Sequence, residues 1–303
     1  MSRPPLLLAA FVLLLAADQL SAQIGAWSKP AEGYYFGVSF ASTTADHEYG
    51  FLGEERPLFR DTARFANGTM GISNVSIYGE YGFTDRLTGI LSTYYTVAVR
   101  EADIIERGSE GLVESASASG LGETRIGLRY ALPGLPEGLA AAFNGLWKIP
   151  TGSANKEIPL GTGRPDFELG LGLGTGFGPI AERYAWVQGS AAFRIRSGRD
   201  NELPWSFELG LPVAKTFVLH ALIDGTHSFA DFEQAAGRSD PDATFIPLVG
   251  SQSFVRATGG LFYDLNEWTT LSVRYGATLS GRNSLASSTI GAGVAWTFDG
   301  VAE

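Results

Sequence analysis

A strict alternation of large apolar residues with glycine or polar residues runs along most of this chain. It is clearest between positions 166 and 178, where the odd positions carry Phe167, Leu169, Leu171, Leu173, Thr175 and Phe177. The even positions between them carry Glu168, Gly170, Gly172, Gly174 and Gly176. A period of two is typical of a β-strand with two chemically different faces. Soluble strands usually have about 5–6 residues, whereas a tilted strand of about 9–11 residues crosses a bilayer. The stretch is therefore long enough to span a membrane.

The same alternation predicts twelve strands, at residues 33–43, 70–82, 87–99, 120–132, 139–149, 166–178, 183–196, 205–213, 217–228, 253–265, 269–281 and 288–298. Short turns follow the even-numbered strands, and longer polar loops follow the odd-numbered ones. This arrangement is typical of bacterial outer-membrane barrels, whose short turns are periplasmic. We therefore predict an all-β fold, a transmembrane antiparallel up-and-down β-barrel of twelve strands, with ten or fourteen strands as the alternatives.

Period two alone does not show which face points inward, because a soluble barrel or sandwich also alternates, with its apolar face inside. Three features favour the inverted arrangement. The apolar row recurs in every predicted strand, and the opposite row mixes glycine with charges of both signs, which suits a polar lumen. Large aromatic residues fall near strand ends, where interfacial girdles lie: Tyr34, Trp147, Trp205, Trp268 and Trp296. We expect the apolar row to face lipid, in a closed barrel without free strand edges.

The N-terminus has the three parts of a secretory signal peptide. Arg3 supplies a positive charge, residues 6–17 are apolar, and Leu20-Ser21-Ala22 offers a cleavage site before Gln23. The apolar part is too short for a spanning helix, which needs about 20 residues. We predict a removed signal peptide at 1–22, a periplasmic leader at 23–32, the barrel at 33–298 and a C-terminal tail at 299–303. The protein is then expected in the bacterial outer membrane, with membrane lipid and the barrel assembly machinery as partners.

Composition narrows the function classes. Of the 303 residues 45% are hydrophobic, 18% are charged and 39 are glycine, which excludes a disordered chain and disfavours a helical one. Cysteine is absent, so disulfides and thiolate metal sites are excluded. The formal net charge is -10, which argues against nucleic acid as a partner because its binding needs a basic surface. The sequence has no metal-ligand cluster and no phosphate-binding glycine pattern in the right context, so we predict neither a metal nor a cofactor.

Three segments between the fourth and sixth predicted strands form a recognisable set. They are residues 120–130 (GLGETRIGLRY), Pro150-Thr151-Gly152 and residues 160–167 (LGTGRPDF). In these segments the chain resembles the outer-membrane transporter family of the meta-pathway of phenol degradation. The resemblance implies a small porin-like outer-membrane channel for aromatic or other apolar nutrients, and it brings no catalytic residues. Such barrels generally finish on an aromatic residue, whereas here Phe298 is followed by Asp299-Gly300-Val301-Ala302-Glu303.

We therefore expect a channel for passive uptake of a small-molecule solute. The residues expected to line its pore share the inward parity: Glu80, Glu123, Arg125, Arg129, Lys148, Glu168, Arg194, Arg196, Glu208, His220, Asp224, Arg256, Asp264 and Arg274. Rings of charged side chains set selectivity in pores. A near-neutral lumen beneath acidic loops should favour small cations and neutral solutes over anions. The alternative is that these charges pair with one another in a plugged interior, because twelve strands fall between the filled barrels of about 8 strands and the aqueous channels of about 16–18.

Two other function classes remain open at this stage. A lipid hydrolase embedded in the barrel would need a nucleophile, a base and an orienting group in contact. His220 and Asp224 would lie about 13 Å apart along one strand, which is too far for a hydrogen bond. His227 and Ser228 would face opposite sides of the wall, and His47 is the one other histidine. We predict no catalytic residues. A structural or adhesive surface barrel is the third class.

Overall fold

The computed structural model describes residues 24–58, 65–105, 112–236 and 250–299. The signal peptide predicted at 1–22 and most of the C-terminal tail lie outside these ranges. The strands are β1 (Tyr34–Tyr49), β2 (Glu55–Pro57), β3 (Phe65–Thr84), β4 (Leu87–Ile104), β5 (Val113–Leu121), β6 (Thr124–Ala131), β7 (Leu139–Ile149), β8 (Asp166–Ile180), β9 (Arg183–Arg196), β10 (Glu202–Ala214), β11 (Phe217–Ser228), β12 (Ser253–Asp264), β13 (Thr269–Arg282) and β14 (Ser284–Phe298). A single turn of helix, α1 (Phe232–Ala236), follows β11. Among the described residues no helix is long and apolar enough to cross a membrane.

The strands close into an antiparallel barrel with twelve positions around its wall. Neighbours in sequence pair with one another, and β1 pairs with β14 from Tyr34↔Phe298 to Tyr49↔Ser284. One position is shared by β5 and β6, because both pair with β4, one above the other. The short β2 is an addition to the end of β1. The predicted fold, a closed antiparallel barrel of twelve strands, is therefore confirmed.

The fourth predicted strand, 120–132, differs from the structure because it is interrupted after Leu121. At this point the ring of Tyr94 approaches the wall so closely that a Cβ on Gly122 would lie 1.9 Å from it. The backbone N–H of Gly122 still donates to the carbonyl of Tyr94, at 2.8 Å. Glycine thus lets the strand break without losing its attachment to β4, and the paired strand resumes at Thr124.

The two faces of the wall differ as the alternation predicted. In β8 the outward residues Leu169 and Leu173 are 56% and 54% exposed, whereas the inward Glu168 is 3% exposed. A soluble protein would bury the leucines and expose the carboxylate. An apolar exterior around a polar interior is the arrangement of a membrane barrel. We call the end with the short turns periplasmic and the opposite end extracellular, following the same rule.

Several strands extend further at the extracellular end than the alternation predicted, and β1, β3 and β4 are examples. β1 continues to Tyr49, β3 begins at Phe65, and β4 continues to Ile104. Parts of the predicted loops 44–69 and 100–119 are therefore strand. These extensions carry polar residues on both faces, so they give no period-two signal of apolar residues. They pair by backbone hydrogen bonds beyond the apolar band of the wall.

Stacked aromatic rings join the first and last strands at the periplasmic end. The ring of Phe298, the last residue of β14, lies 5.4 Å from that of Tyr34 and 5.6 Å from that of Trp268, both in stacked geometry. Phe36 and Trp296 stack in the same way one step further along, at 5.8 Å. Aromatic pairs of this kind contribute about 0.5–1.5 kcal/mol each beyond the area they bury.

Replacing Phe298 with Ala is expected to weaken this junction. Loss of two stacked pairs should lower the free energy of unfolding by about 1–3 kcal/mol, on the scale measured for single pairs. The measurement is urea unfolding of the detergent-solubilised barrel, followed by tryptophan fluorescence. Phe207→Ala, which removes an outward ring in the middle of β10, is the control. An equal loss in both variants would contradict a particular contribution of Phe298.

Candidate functional site

Residues 24–29, which we call the inner segment, run inside the barrel from its periplasmic end. Ile24 is buried in an apolar cluster within the lumen, together with Tyr78, Ile90, Leu146 and Ala192. Trp27 meets the ring of Trp186 on the inner wall edge-on, with centroids 6.1 Å apart. Of the apolar side chains in this segment, Ile24 and Ala26 are buried, whereas Trp27 is 39% exposed. The leader at residues 23–32 stays a prediction.

The inner segment packs against the glycines on the inward face of β8. A Cβ on Gly172 would lie 2.4 Å from the carbonyl oxygen of Gly25, and a Cβ on Gly174 would lie 2.4 Å from the ring of Trp27. Any larger residue would collide with the segment at these two positions. The same glycines that mark the strand in the sequence therefore leave room for a second layer of chain in the lumen.

Polar side chains of the inner wall hold the backbone of the segment. Asn144 Nδ2 donates to the carbonyl of Gly25 at 3.1 Å, and Arg129 Nη1 donates to the carbonyl of Trp27 at 2.9 Å. Arg129 is fixed in turn by Asn144 Oδ1 at 3.0 Å and by the carboxylate of Glu80 at 2.8 Å. Because these groups are buried, each lost bond would leave an unsatisfied polar atom. The segment is thus built into the interior by specific contacts.

The connection at residues 150–165, which we call the mouth loop, narrows the lumen from the extracellular side. Its Ile158 is fully buried and Leu160 is nearly so, within an apolar cluster of Leu58, Phe65, Met70, Ala98, Ala102, Ala116 and Ala118. Glu123 accepts a hydrogen bond from the backbone N–H of Thr162 at 2.9 Å. Both ends of the lumen are therefore lined by chain that folds inward from outside the strands.

Eight charged side chains of alternating sign line the inner wall towards the extracellular end, and we call them the charge ladder. In order they are Arg125, Glu168, Arg194, Glu202, Arg196, Asp166, Lys148 and Glu123. Nitrogen–oxygen distances along the ladder include 2.7 Å for Arg194–Glu168, 2.6 Å for Arg194–Glu202 and 3.0 Å for Lys148–Glu123. Arg196–Glu202 and Lys148–Asp166 are direct ion pairs, and Arg125–Glu168 and Arg196–Asp166 are looser, at 3.9 and 3.6 Å.

The ladder neutralises its own charges along the wall. Seven members lie on strands β6 to β10, and Glu123 lies just before β6. The ion pairs join adjacent strands, except for Arg125–Glu168, which reaches from β6 past β7 to β8, and none needs to bridge the lumen. Arg199, in the turn after β9, adds a positive charge beside it. Burial, and then the guanidinium of Arg196, lower the pKa of the Arg199 guanidinium from its usual value. The arrangement matches the alternative in which interior charges satisfy one another.

The remaining residues predicted to line the pore also face inward, in smaller groups. Asp224 and Arg256 form a bidentate pair with contacts of 3.1 and 3.0 Å. Asp264 pairs with Arg183 at the periplasmic rim. The guanidinium of Arg274 lies 4.9 Å from the centroid of the Phe262 ring, and Glu80 pairs with Arg129 as described above. The structure therefore gathers the fourteen predicted positions into one ladder and a few local clusters.

His220 lies in a buried aromatic cluster, and among the described residues its hydrogen-bond partner is a carboxylate and not a hydroxyl nucleophile. Its Nε2 is 2.6 Å from a carboxylate oxygen of Glu208, and its Nδ1 is buried without a hydrogen-bond partner among the residues that the structure describes. Asp224 pairs with Arg256 instead of His220. His227 packs against the ring of Phe229, at 5.3 Å. In the described part of the chain, the constellation that a lipid hydrolase needs is not assembled at His220 or His227. Within the described ranges, no group of three or more histidine or acidic side chains is placed to hold a metal ion.

A cavity of about 240 Å³ lies in the lumen between the inner segment and the extracellular end. Ile24 lies on one side of it, and Tyr94 and Phe254 contribute aromatic lining. Charged lining comes from Arg125, Glu168, Arg194, Asp224 and Arg256, all of them in ion pairs. An apolar cavity of about 150 Å³ accepts benzene. The space is therefore large enough for a molecule with one aromatic ring.

Sequence reasoning missed several residues of this interior. Asp166 shares the parity of Glu168 and is the first residue of the predicted strand 166–178, but it was not included among the residues predicted to line the pore. Glu202 has the parity of Glu208, yet the strand was predicted to begin only after Pro204. Asn144 had the inward parity, and its lack of charge hid its importance. The signal that could have found the two acids is parity itself, continued to the ends of the strands.

Comparison with solved structures shows a shared fold. The crystal structure of an outer membrane channel from Pseudomonas putida F1 aligns with a TM-score of 0.58 and 15% identity, over 90% of this chain and 98% of that one. The NanC porin aligns with a TM-score of 0.44 and 9% identity over 86% and 100% of the two chains. The KdgM porin has a TM-score of 0.44 and 7% identity over 87% and 99%. Of these three alignments, the first is close enough to show a common fold, and at 15% identity the fold is all that it shows.

Comparisons by sequence add no relative. No protein-family profile matches the chain, and no curated protein matches it. Membership of the phenol-degradation transporter family therefore stays a prediction. The fold is that of outer-membrane β-barrels.

Proposed function

We propose that this chain is an outer-membrane channel for the passive uptake of small molecules, with aromatic or other apolar compounds as its solutes. In this proposal residues 1–22 direct export and are removed, and the barrel assembly machinery inserts the mature chain. Support for the channel comes from the closed barrel with its apolar exterior, which is the architecture of the Pseudomonas putida F1 channel.

The single observation that carries the solute class is the lumen cavity. Its size suits one aromatic ring, and Tyr94 and Phe254 are aromatic residues that line it. Aromatic rings pair favourably with one another and with cations such as arginine. Because the lining charges are already paired, a solute need not supply a counter-charge. A neutral or weakly polar aromatic compound fits this environment better than a strongly charged one.

Uptake into liposomes that contain the purified barrel tests the proposal. We expect small aromatic compounds to enter faster than sugars or amino acids of similar size, and empty liposomes serve as the control. Planar-bilayer recording should show small currents with a preference for cations over anions. A correctly inserted barrel that passes none of these solutes would favour a structural or adhesive protein instead. Hydrolysis of lipid by the same preparation, lost on replacing His227, would favour the enzyme.

A further inference from the structure

The outward surface of the barrel carries a groove of about 860 Å³ across β1, β3, β4, β6, β7 and β8. It begins at the periplasmic rim with Tyr34, the first residue of β1, and with Tyr81 near the end of β3. It ends at Trp147 and Phe167, close to the extracellular ends of β7 and β8. The groove therefore runs obliquely across much of the membrane-facing wall, from the periplasmic end towards the extracellular end.

Missing side chains create this groove. Gly79, Gly89 and Gly145 occupy outward positions where neighbouring positions carry Tyr81, Leu128 or Trp147. A Cβ on Gly79 would have its nearest neighbour at 3.8 Å, and so would a Cβ on Gly145. Close approach of backbone does not explain these two glycines, because a side chain would fit at both. What they provide is an unfilled depression in an otherwise continuous apolar surface.

We propose that the groove binds one acyl chain of a phospholipid from the periplasmic leaflet. The apolar rows on both sides of the groove face lipid, so the medium available to fill it is hydrocarbon. An unfilled depression would forfeit dispersion contacts along its whole length. A flexible acyl chain can follow an oblique course between aromatic side chains, whereas a rigid partner would have to match it in shape.

The periplasmic end of the groove supplies polar partners for a phospholipid headgroup. Arg86 is exposed in the β3–β4 turn, between the groove residues Phe83 and Gly89. The carboxylate of the preceding residue, Asp85, accepts a hydrogen bond from the backbone N–H of Ala31 at 3.1 Å. Phosphate is a strong acceptor for a guanidinium, and tyrosine at this level of a membrane keeps its hydroxyl in the headgroup region. In this proposal the phosphate of the lipid lies near Arg86, and the acyl chain extends from it along the groove.

Titration of the full barrel with phosphatidylglycerol in a neutral detergent, read by native mass spectrometry, tests this site. Wild type should retain one phospholipid with clear preference over further adducts. Gly79→Leu combined with Gly145→Leu fills the groove without backbone conflict and should weaken that first binding step by about tenfold or more. Gly259→Leu is the matched control. It adds the same side chain at an outward position with no atom within 4 Å, and it should leave binding unchanged.

Arg86→Gln provides an independent variant, because it leaves the groove intact and should remove the preference for an anionic headgroup. Equal phospholipid binding by wild type and by the double leucine variant would overturn the proposal. So would exclusive retention of a lipopolysaccharide-type lipid, or a barrel dimer that disappears when the groove is filled. None of these results bears on solute uptake through the lumen, so the lipid site is tested independently of the proposed channel function.

Discussion

Replacing Gly172 with Val is expected to raise the single-channel conductance of the barrel several-fold. The side chain would project into the space of the Gly25 carbonyl, which lies 2.4 Å from the position of a Cβ on Gly172. Strand β8 is fixed by pairing with β7 and β9, so the inner segment has to be displaced. Because the segment lies within the lumen against the inner wall, its displacement should open a wider path for ions.

Gly176→Val is the matched control for this experiment. It places the same side chain on the same face of β8, where the nearest neighbour of a Cβ is at 3.7 Å, away from the segment. A second readout follows the segment directly. The chain has no cysteine, so Ile24→Cys introduces a single thiol. Its labelling by a membrane-impermeant maleimide should be slow in the parent and fast with Gly172→Val. Unchanged conductance together with fast labelling would show that the segment does not limit flow.

Replacing Glu202 with Gln should destabilise the barrel and change its ion preference. Glu202 is the one member of the charge ladder that contacts both Arg194 and Arg196. Losing its charge leaves two buried guanidinium groups under-compensated. Breaking a buried ion pair from one side costs about 3–5 kcal/mol. The same excess of positive charge should move the reversal potential towards anions.

The measurements are urea unfolding in detergent and bilayer recording under a salt gradient. Glu182→Gln is the control, because Glu182 forms an exposed pair with Lys215 at 3.3 Å, and exposed pairs contribute little. We expect it to leave both readings close to those of the parent. If Glu202→Gln unfolds like the parent and keeps cation preference, the ladder is not the element that sets either property.

The membrane-spanning part of the fold was predictable from the sequence to the residue in places. The strands predicted at 139–149, 183–196 and 217–228 have those bounds in the structure. Lipid on one side and a polar interior on the other impose a period of two, and the turns between strands are short. Where the wall leaves the membrane, as in β1 beyond residue 43, that constraint ends and backbone pairing alone maintains the strand.

The interior could be predicted only in part. Inward parity identified the charged wall residues, but it does not show whether two charges on different strands meet, because that depends on the register. No periodicity in the sequence predicts that the inner segment folds back into the lumen. Ile24 and Trp27 are apolar residues in a stretch without alternation, and their site is made by glycines nearly 150 positions later, at Gly172 and Gly174. The contact between these two distant segments depends on the folded structure, so the sequence pattern of either segment alone does not predict it.

The joining of β1 to β14 has a consequence for the order of assembly. Every other junction in the wall links strands close in sequence, whereas this seam brings Tyr34 against Phe298 and must overcome the largest loop-closure entropy. The inner segment is continuous with β1, which forms one side of the seam. Ring closure and placement of the segment are thus coupled through a single strand. If the seam closed first, residues 24–29 would have to enter a barrel that is already closed.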